Sequence, residues 1–303
     1  MAPRIVLLGP SGQVGWELAR SLQCLGSVYT LGRAEIDFEQ PAALRARIAQ
    51  IAPALIVNAV AWTAVDDAEQ HEARALMVNG HVPGLLATIA RDCGALLIHY
   101  STDYVFDGSG SKPRKPDEAT GPLSAYGRSK LAGEQAIAAA GGHWLILRTS
   151  WVYAARGRNF VRTMLRLGAQ RESLRVVDDQ IGAPTSARLV ADVTAHVARG
   201  ALREIDQHAF DSGILHLTAS GETSWHGFAQ AIFDEWRALA PSAPLAIRQI
   251  QAIPSSDYPV PAPRPLNSRL DCTSLMTRYS ITLPPWQDAL HRVLEEIAST
   301  QST

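Results

Sequence analysis

Tyr126 and Lys130 stand four positions apart in AYGRSKLAGEQ, residues 125–135, a phenol and an ammonium that a helix would bring together. At about 100° per residue the two differ by roughly 40° around the axis, so both side chains share a face. A free phenol, with a pKa of about 10, is a poor proton donor at neutral pH. A fixed ammonium about 5 Å away, at an effective dielectric of about 20, favours the phenolate by about 3 kcal/mol, or roughly two pK units. That would bring Tyr126 toward the range used in general acid–base work. The spacing alone does not decide it, because a tyrosine body lying on a lysine stem is an ordinary helix-surface contact.

The neighbouring segments decide it. HYSTDYVFDG ends an apolar run and presents Ser101, Thr102 and Asp103; NAVAWTAVD ends another and presents Ala61, Trp62 and Thr63. In an open α/β sheet, ligands bind beyond the carboxyl ends of the strands, so these residues and Tyr126 converge on one edge. LLGPSGQVG sets Gly9, Gly12 and Gly15 at the junction of the first strand and first helix. The three-residue spacing differs from the better-known dinucleotide fingerprint, but it meets similar demands. These are a tight turn, close backbone approach to a pyrophosphate, and helix amides aimed at the phosphates. The second strand ends in TLGRAEID, where Arg33 suits a 2′-phosphate and favours NADPH. Glu35 could instead take the acidic role that suits NADH. Asp37 and Phe38 are placed to cover an adenine, unless Phe38 faces the core. With a nicotinamide there, Lys130 would hold its ribose and Thr102 the carbonyl oxygen of a substrate. Hydride would reach carbon while Tyr126 gives a proton to oxygen, which is a carbonyl reduction.

These residues need elements to hold them. Apolar runs at 4–9, 27–32, 54–61, 95–102 and 143–150 alternate with helical patterns at 13–25, 41–51, 72–93 and 126–140. Continuous Ile/Leu/Val strands separated by helices predict an α/β fold, a doubly wound parallel (Rossmann) sheet covered on both faces. Residues 1–150 form the expected dinucleotide-binding domain, with part of 180–215 returning to it. Residues 151–303 form mainly a second, smaller α/β domain for substrate. Strand patterns at 174–178 and 213–219, helices at 186–199, 223–240 and 286–299, and a proline-rich ordered loop at 253–268 fill that half.

The chain's 303 residues are 47% hydrophobic and 19% charged, with a formal net charge of −1, which gives no electrostatic footprint for nucleic acid or a membrane surface. Cys24, Cys93 and Cys272 show no paired spacing, so no disulfide framework or zinc site is expected. No leader or spanning segment is visible, and a soluble, cytoplasmic protein is expected.

The blocks IVNAVAWTAVDDAE, IHYSTDYVFDG, YGRSK, LRTSWVYA, DQIGAPTSA and PRPLNSRL, in this order after the glycine loop, resemble the extended short-chain dehydrogenase/reductase family and, within it, sugar-nucleotide 4-reductases. The resemblance runs from residue 4 to about 292. It implies NADPH-dependent reduction of the 4-keto group of dTDP-4-dehydro-6-deoxy-L-mannose, with NADH as the other cofactor to weigh. The thymidine rests on the resemblance alone. Tyr126 is then the proton donor, with Lys130 and Thr102 its partners. Gly12, Gln13, Val14, Asp37, Phe38, Ala61, Trp62, Thr63, Tyr100 and Lys130 contact the cofactor. Thr102, Asp103 and Trp151 contact the sugar nucleotide, with Thr63 and Val65 near it.

Two other readings stay open: another sugar-nucleotide reductase or epimerase, and a non-catalytic nucleotide-binding subunit. The related dehydratases carry a Thr-Asp-Glu run; here Asp103 is followed by Tyr104, which argues for reduction alone. Arg264 is a candidate diphosphate contact or a tie for the proline loop. Members of the family also hold magnesium between carboxylates at a dimer interface. Glu17, Glu295 and Glu296 could serve, but Arg188 stands where another glutamate is expected. No metal is therefore predicted, and a homodimer is left open. His71, His81 and His99 show no ligand spacing and read as surface or core residues.

Overall fold

The computed structural model describes every residue except Met1, Arg33, Asp37, Glu39, Ser302 and Thr303. The first half runs β1 (Arg4–Leu8), α1 (Gln13–Ser21), β2 (Ser27–Leu31), α2 (Pro41–Ile51), β3 (Leu55–Asn58), α3 (Val82–Cys93), β4 (Leu96–Thr102), α4 (Ala125–Ala140) and β5 (His143–Thr149). The second half runs α5 (Phe160–Gly168), β6 (Ser173–Val177), α6 (Ala187–Asp206), β7 (Gly213–His216), α7 (Trp225–Leu239), β8 (Gln249–Ile253), α8 (Thr273–Tyr279) and α9 (Trp286–Gln301).

Six strands form one sheet in the order β7-β5-β4-β3-β1-β2, every neighbouring pair parallel. The strand order reverses between β1 and β3, which opens the crevice where such sheets take ligands. Alternate residues feed two cores. Ile5, Leu7, Leu96 and Ile98 pack toward α1, α6 and α8. Val6, Leu8 and Leu97 pack toward α2, α3 and α4. Burial on both faces is why these strands are unbroken apolar runs. The doubly wound parallel sheet expected from the sequence is the one observed.

A third core joins α5, β6, α7 and α9 through Val161, Phe228, Phe233, Trp236, Leu294 and Ile297. The parallel pair β6–β8 lies beside it. The second half also reaches back: α6 packs on α1, and β7 adds to the sheet beside β5.

The sequence pattern missed α5, β8 and α8 and carried β3 past its end at Asn58. Helix α5 is nine residues long; Asn159 starts it by accepting from the Arg162 amide, and Gly168 ends it flat against Phe233. The helical run expected over 72–93 is interrupted by a π-turn, Met77–His81, that carries the buried Asn79.

Candidate active site

The glycine loop is built for a tight turn with a bare helix end above it. Gly9 sits at φ +78°, and a Cβ there would press on the Ala59 backbone at 3.0 Å. A Cβ on Gly15 would lie 2.0 Å from the Gly9 carbonyl oxygen, so helix and strand can approach only with glycine there. Gly12 is different. Its backbone is extended (φ −73°, ψ 166°) and a Cβ would meet nothing nearer than 3.6 Å. Neither conformation nor packing demands glycine at 12, and the space above it is open to close approach by a ligand. Gly12 also caps α1 with no side-chain hydrogen bond, leaving first-turn amides, Val14 among them, free for an anion. The residues present therefore fit a dinucleotide pyrophosphate.

Gln13 turns toward the second half of the chain and accepts from Asn159 Nδ2 at 2.8 Å. Phe38 packs against the α2–α3 core. Glu35 bends back to accept from the Gly32 amide at 2.8 Å. Arg33 and Asp37 lie outside the described residues.

Tyr126 and Lys130 sit on the first turns of α4, which Ser124 caps by accepting from the Gly127 amide. The helix lies tight on its neighbours: a Cβ on Gly127 would be 2.3 Å from the Tyr104 carbonyl, and one on Gly133 2.1 Å from that of Asn79. The Tyr126 phenol lies near the Thr102 hydroxyl, and its ring stands edge-on to Tyr104 at 5.5 Å. Thr102 also reaches Asp103 Oδ1 at 3.1 Å. Burial raises the Tyr126 phenol to about 12, partly offset by Thr102 and raised further by Asp103. The expected acidification by Lys130 is not what the structure shows. The lysine amine donates to the Tyr100 carbonyl at 2.6 Å and faces His99 Nε2 at 3.3 Å. Its donor is engaged inside the sheet.

Asp103 is 1% exposed, and desolvation raises its carboxyl to about 6 against the pull of Ser268 and Thr102. Its Oδ2, the Ser101 hydroxyl and the Thr149 hydroxyl are buried with no partner. All three lie at the C-terminal ends of β4 and β5, where Thr102 and Thr149 are in register. Buried polar atoms need partners; Thr149 shares the face of Thr102, while Ser101 points to the opposite face of the sheet.

The sequence reading missed a clamp. Asn79 accepts from the Trp62 amide at 2.8 Å and donates to the Trp62 carbonyl at 3.0 Å and to Ser129 Oγ at 2.9 Å. Ser129 in turn donates to the Tyr126 carbonyl. One buried amide thus ties the Ala61–Thr63 segment to the Tyr126 helix. Asparagine inside an apolar helical run was the available signal. His99 was read as surface or core; it is core, but it lies on the β4 face turned to α4, against Lys130.

Other predicted residues are placed as follows. The Tyr100 hydroxyl bonds Thr194 on α6 at 2.8 Å. Trp151 has a left-handed backbone (φ +49°), a strained state for a bulky residue, and stacks on Trp225 at 3.7 Å between ring centres. Thr63 is exposed, and Val65 opens a short turn of helix beside it. Arg264 pairs with Asp66 at 2.6 Å and with the Ala262 carbonyl, so it ties down the proline loop. Glu17 faces Arg188 at 3.6 Å, and burial raises its carboxyl. A cavity of about 560 Å³, lined by Arg158, Arg162, Arg166, Trp236 and Ile297 among others, opens among α5, α7 and α9. None of the predicted site residues lines it. Among the described residues no helix is long and apolar enough to cross a membrane, and no cluster of His, Cys, Asp or Glu could hold a metal.

The parallel sheet and its glycine loop are those of an extended short-chain dehydrogenase/reductase. A model of the RmlD substrate binding domain family matches residues 3–299, and the chain belongs to that family. It is 51% identical over 296 residues to a dTDP-4-dehydrorhamnose reductase of Burkholderia thailandensis, covering 98% of this chain and 99% of that one. It is 44% identical over 300 residues to the reductase of the same name from Escherichia coli K12, covering 98% of each. The crystal structure of the Bacillus anthracis dTDP-4-dehydrorhamnose reductase in complex with NADP superposes with a TM-score of 0.88 at 29% identity, over 98% of this chain and all of that one.

Proposed function

We propose that this protein reduces the 4-keto group of dTDP-4-dehydrorhamnose to give dTDP-L-rhamnose, with NADPH as the reductant. The observation that carries the reading is the Tyr126 phenol beside Thr102 at the carboxyl edge of a parallel sheet whose glycine loop leaves room for a pyrophosphate. The family and its named reductases support the substrate. The bound cofactor supplies a hydride to the carbonyl carbon. Gly12 and the free amides of α1 hold its phosphates, and the loop tied down by Asn79 lines its path.

The protein's own part is the proton. A phenol near 12 stays protonated at neutral pH, the state that a reduction needs. The alkoxide formed from the ketone has a conjugate acid about as weak as water, roughly 16, so transfer from Tyr126 remains downhill by about 5 kcal/mol. Thr102 hydrogen-bonds the same oxygen and fixes it within reach of the phenol. The unpartnered oxygens of Asp103 and Thr149 are placed to take hydroxyls of the sugar, and the Trp151–Trp225 stack stands at the same edge for its nucleotide.

Loss of reduced-nicotinamide absorbance on adding the dTDP-4-keto-6-deoxy sugar tests the reading, run with NADPH and NADH and with uridine and guanosine sugars beside it. Turnover with the thymidine sugar is expected, and Tyr126→Phe should lower kcat by about 10²–10⁴ with cofactor Kd little changed. Equal rates in the variant would remove Tyr126 from the reaction. Tight nucleotide binding with no turnover would mark a binding subunit instead.

A further inference from the structure

Lys130 is one of three lysines in the chain and is 2% exposed. Its amine donates to the Tyr100 carbonyl and faces Nε2 of His99, whose ring is completely buried on β4. Which partner donates in that second contact is settled on the far side of the imidazole. The Val60 backbone N–H donates to Asn58 Oδ1 at 3.0 Å, and an N–H can only donate, so the oxygen end of that amide is fixed. Asn58 Nδ2 therefore faces His99 Nδ1 at 3.0 Å, and Nδ1 must be the ring's acceptor. Complete burial holds this imidazole well below its ordinary pKa and so neutral. A neutral ring accepting at Nδ1 carries its proton on Nε2. That N–H points at Lys130 Nζ. An ammonium would set donor against donor; a neutral amine accepts from His99 and still donates to Tyr100.

We propose that Asn58 and His99 form a buried donor chain that biases Lys130 toward its neutral amine, making His99 a positioning residue that turns Lys130 from a permanent cation into a group that exchanges its proton near neutral pH.

The other groups around the amine fit this. On its own helix stand Tyr126 one turn before and Glu134 one turn after. Glu134 is held by Arg148 of β5 in a buried two-bond pair at 2.8 and 2.6 Å. From β4 come His99 and the Tyr100 carbonyl, and just past the strand lie Asp103 and Tyr104. Burial draws the lysine down to about 8, with Glu134 opposing; a His99 N–H acts in the same direction as burial. The protonation of Lys130 in the free protein stands apart from the reductase reading.

The test is nuclear magnetic resonance on protein labelled at the lysine side chain. Only three lysine signals arise, Lys112 and Lys115 on the exposed loop serve as references, and Lys130→Met assigns the third. Lys130 is expected to titrate about two pH units below the other two. His99→Phe keeps the ring volume and removes the N–H, and should move the Lys130 midpoint up on the order of one pH unit. A midpoint that stays put or falls overturns the proposal, because removing an acceptor would weaken the ammonium. If the variant does not fold, the nitrogen-labelled histidine spectrum of the unaltered protein decides: a proton on Nε2 of His99 supports the chain, and one on Nδ1 overturns it. Either result leaves the absorbance assay, and so the reductase reading, untouched.

Discussion

Asp103 and Tyr126 are both held in water-poor surroundings, and burial raises both, but the consequences differ. For the phenol, burial secures the protonated state that the proposed proton transfer needs at neutral pH. For the carboxylate it is a cost. The folded value of Asp103, about 6, lies above its ordinary 3.8, so the native state binds the proton more tightly than the unfolded chain. Stability from this group therefore falls as pH rises between those values, and the penalty is complete above about 6. Two pK units correspond to about 3 kcal/mol. Asp103→Asn keeps the shape and removes the charge, so it should stabilise the protein by up to that amount at pH 7.5. The gain should shrink to nothing near pH 4, read from urea midpoints at the two pH values. An equal gain at both would assign the effect to something other than ionisation. The same variant should lose activity if, as proposed, the unpartnered Asp103 Oδ2 takes a hydroxyl of the sugar.

At the scale of elements, the three glycines of the β1–α1 turn separate into two kinds, and substitution tells them apart. Gly15→Ala drives a methyl into the Gly9 carbonyl at 2.0 Å, a backbone atom that cannot step aside, so a large fall in Tm is expected. Gly12→Ala meets only ordinary contact and an extended backbone. It should fold with a Tm close to that of the parent and yet bind NADPH at least tenfold more weakly in a fluorescence titration. Unchanged affinity would mean that the pyrophosphate does not lie over Gly12. The glycine spacing could be read from the sequence, but which glycines the fold itself requires could not, because the distinction lies in what a missing Cβ would touch. The strands behind the turn were readable for a simple reason: both faces are buried, so each is an unbroken apolar run. The elements that escaped, α5, β8 and α8, are short and take their stability from partners far off in sequence, such as β6 for β8 and Phe233 for Gly168. The polar residues that escaped, Asn58, Asn79 and His99, sit inside apolar segments where pattern reading counts them as interruptions. The expected phenol–ammonium pairing failed for a related reason. Helix spacing put Lys130 on the right face, but the Tyr100 carbonyl, invisible to side-chain patterns, claimed its proton.

Across the whole molecule, the cofactor edge of the sheet is closed by a segment that the chain supplies only after β5. Residues 154–159 lie over the start of α1, with the Arg156 guanidinium 3.6 Å above the Trp16 ring and Gly157 against Gln13. Asn159 holds this together. Its Nδ2 donates to Gln13 and to the Ala154 and Arg156 carbonyls, while its Oδ1 caps α5. One side chain thus couples the glycine loop to the first helix of the second half. Asn159→Ala should lose the cap, about 1–2 kcal/mol, and leave carbonyls unpaired, lowering Tm by several degrees. Asn159→Ser separates the two roles, since its hydroxyl can cap α5 but is too short to reach Gln13. It is expected to keep most of the stability while raising the Kd for NADPH, because Gln13 and the Arg156 segment lose their anchor over the helix end. A serine variant that binds NADPH as tightly as the parent would show that the two halves meet here for folding alone, with no bearing on the cofactor.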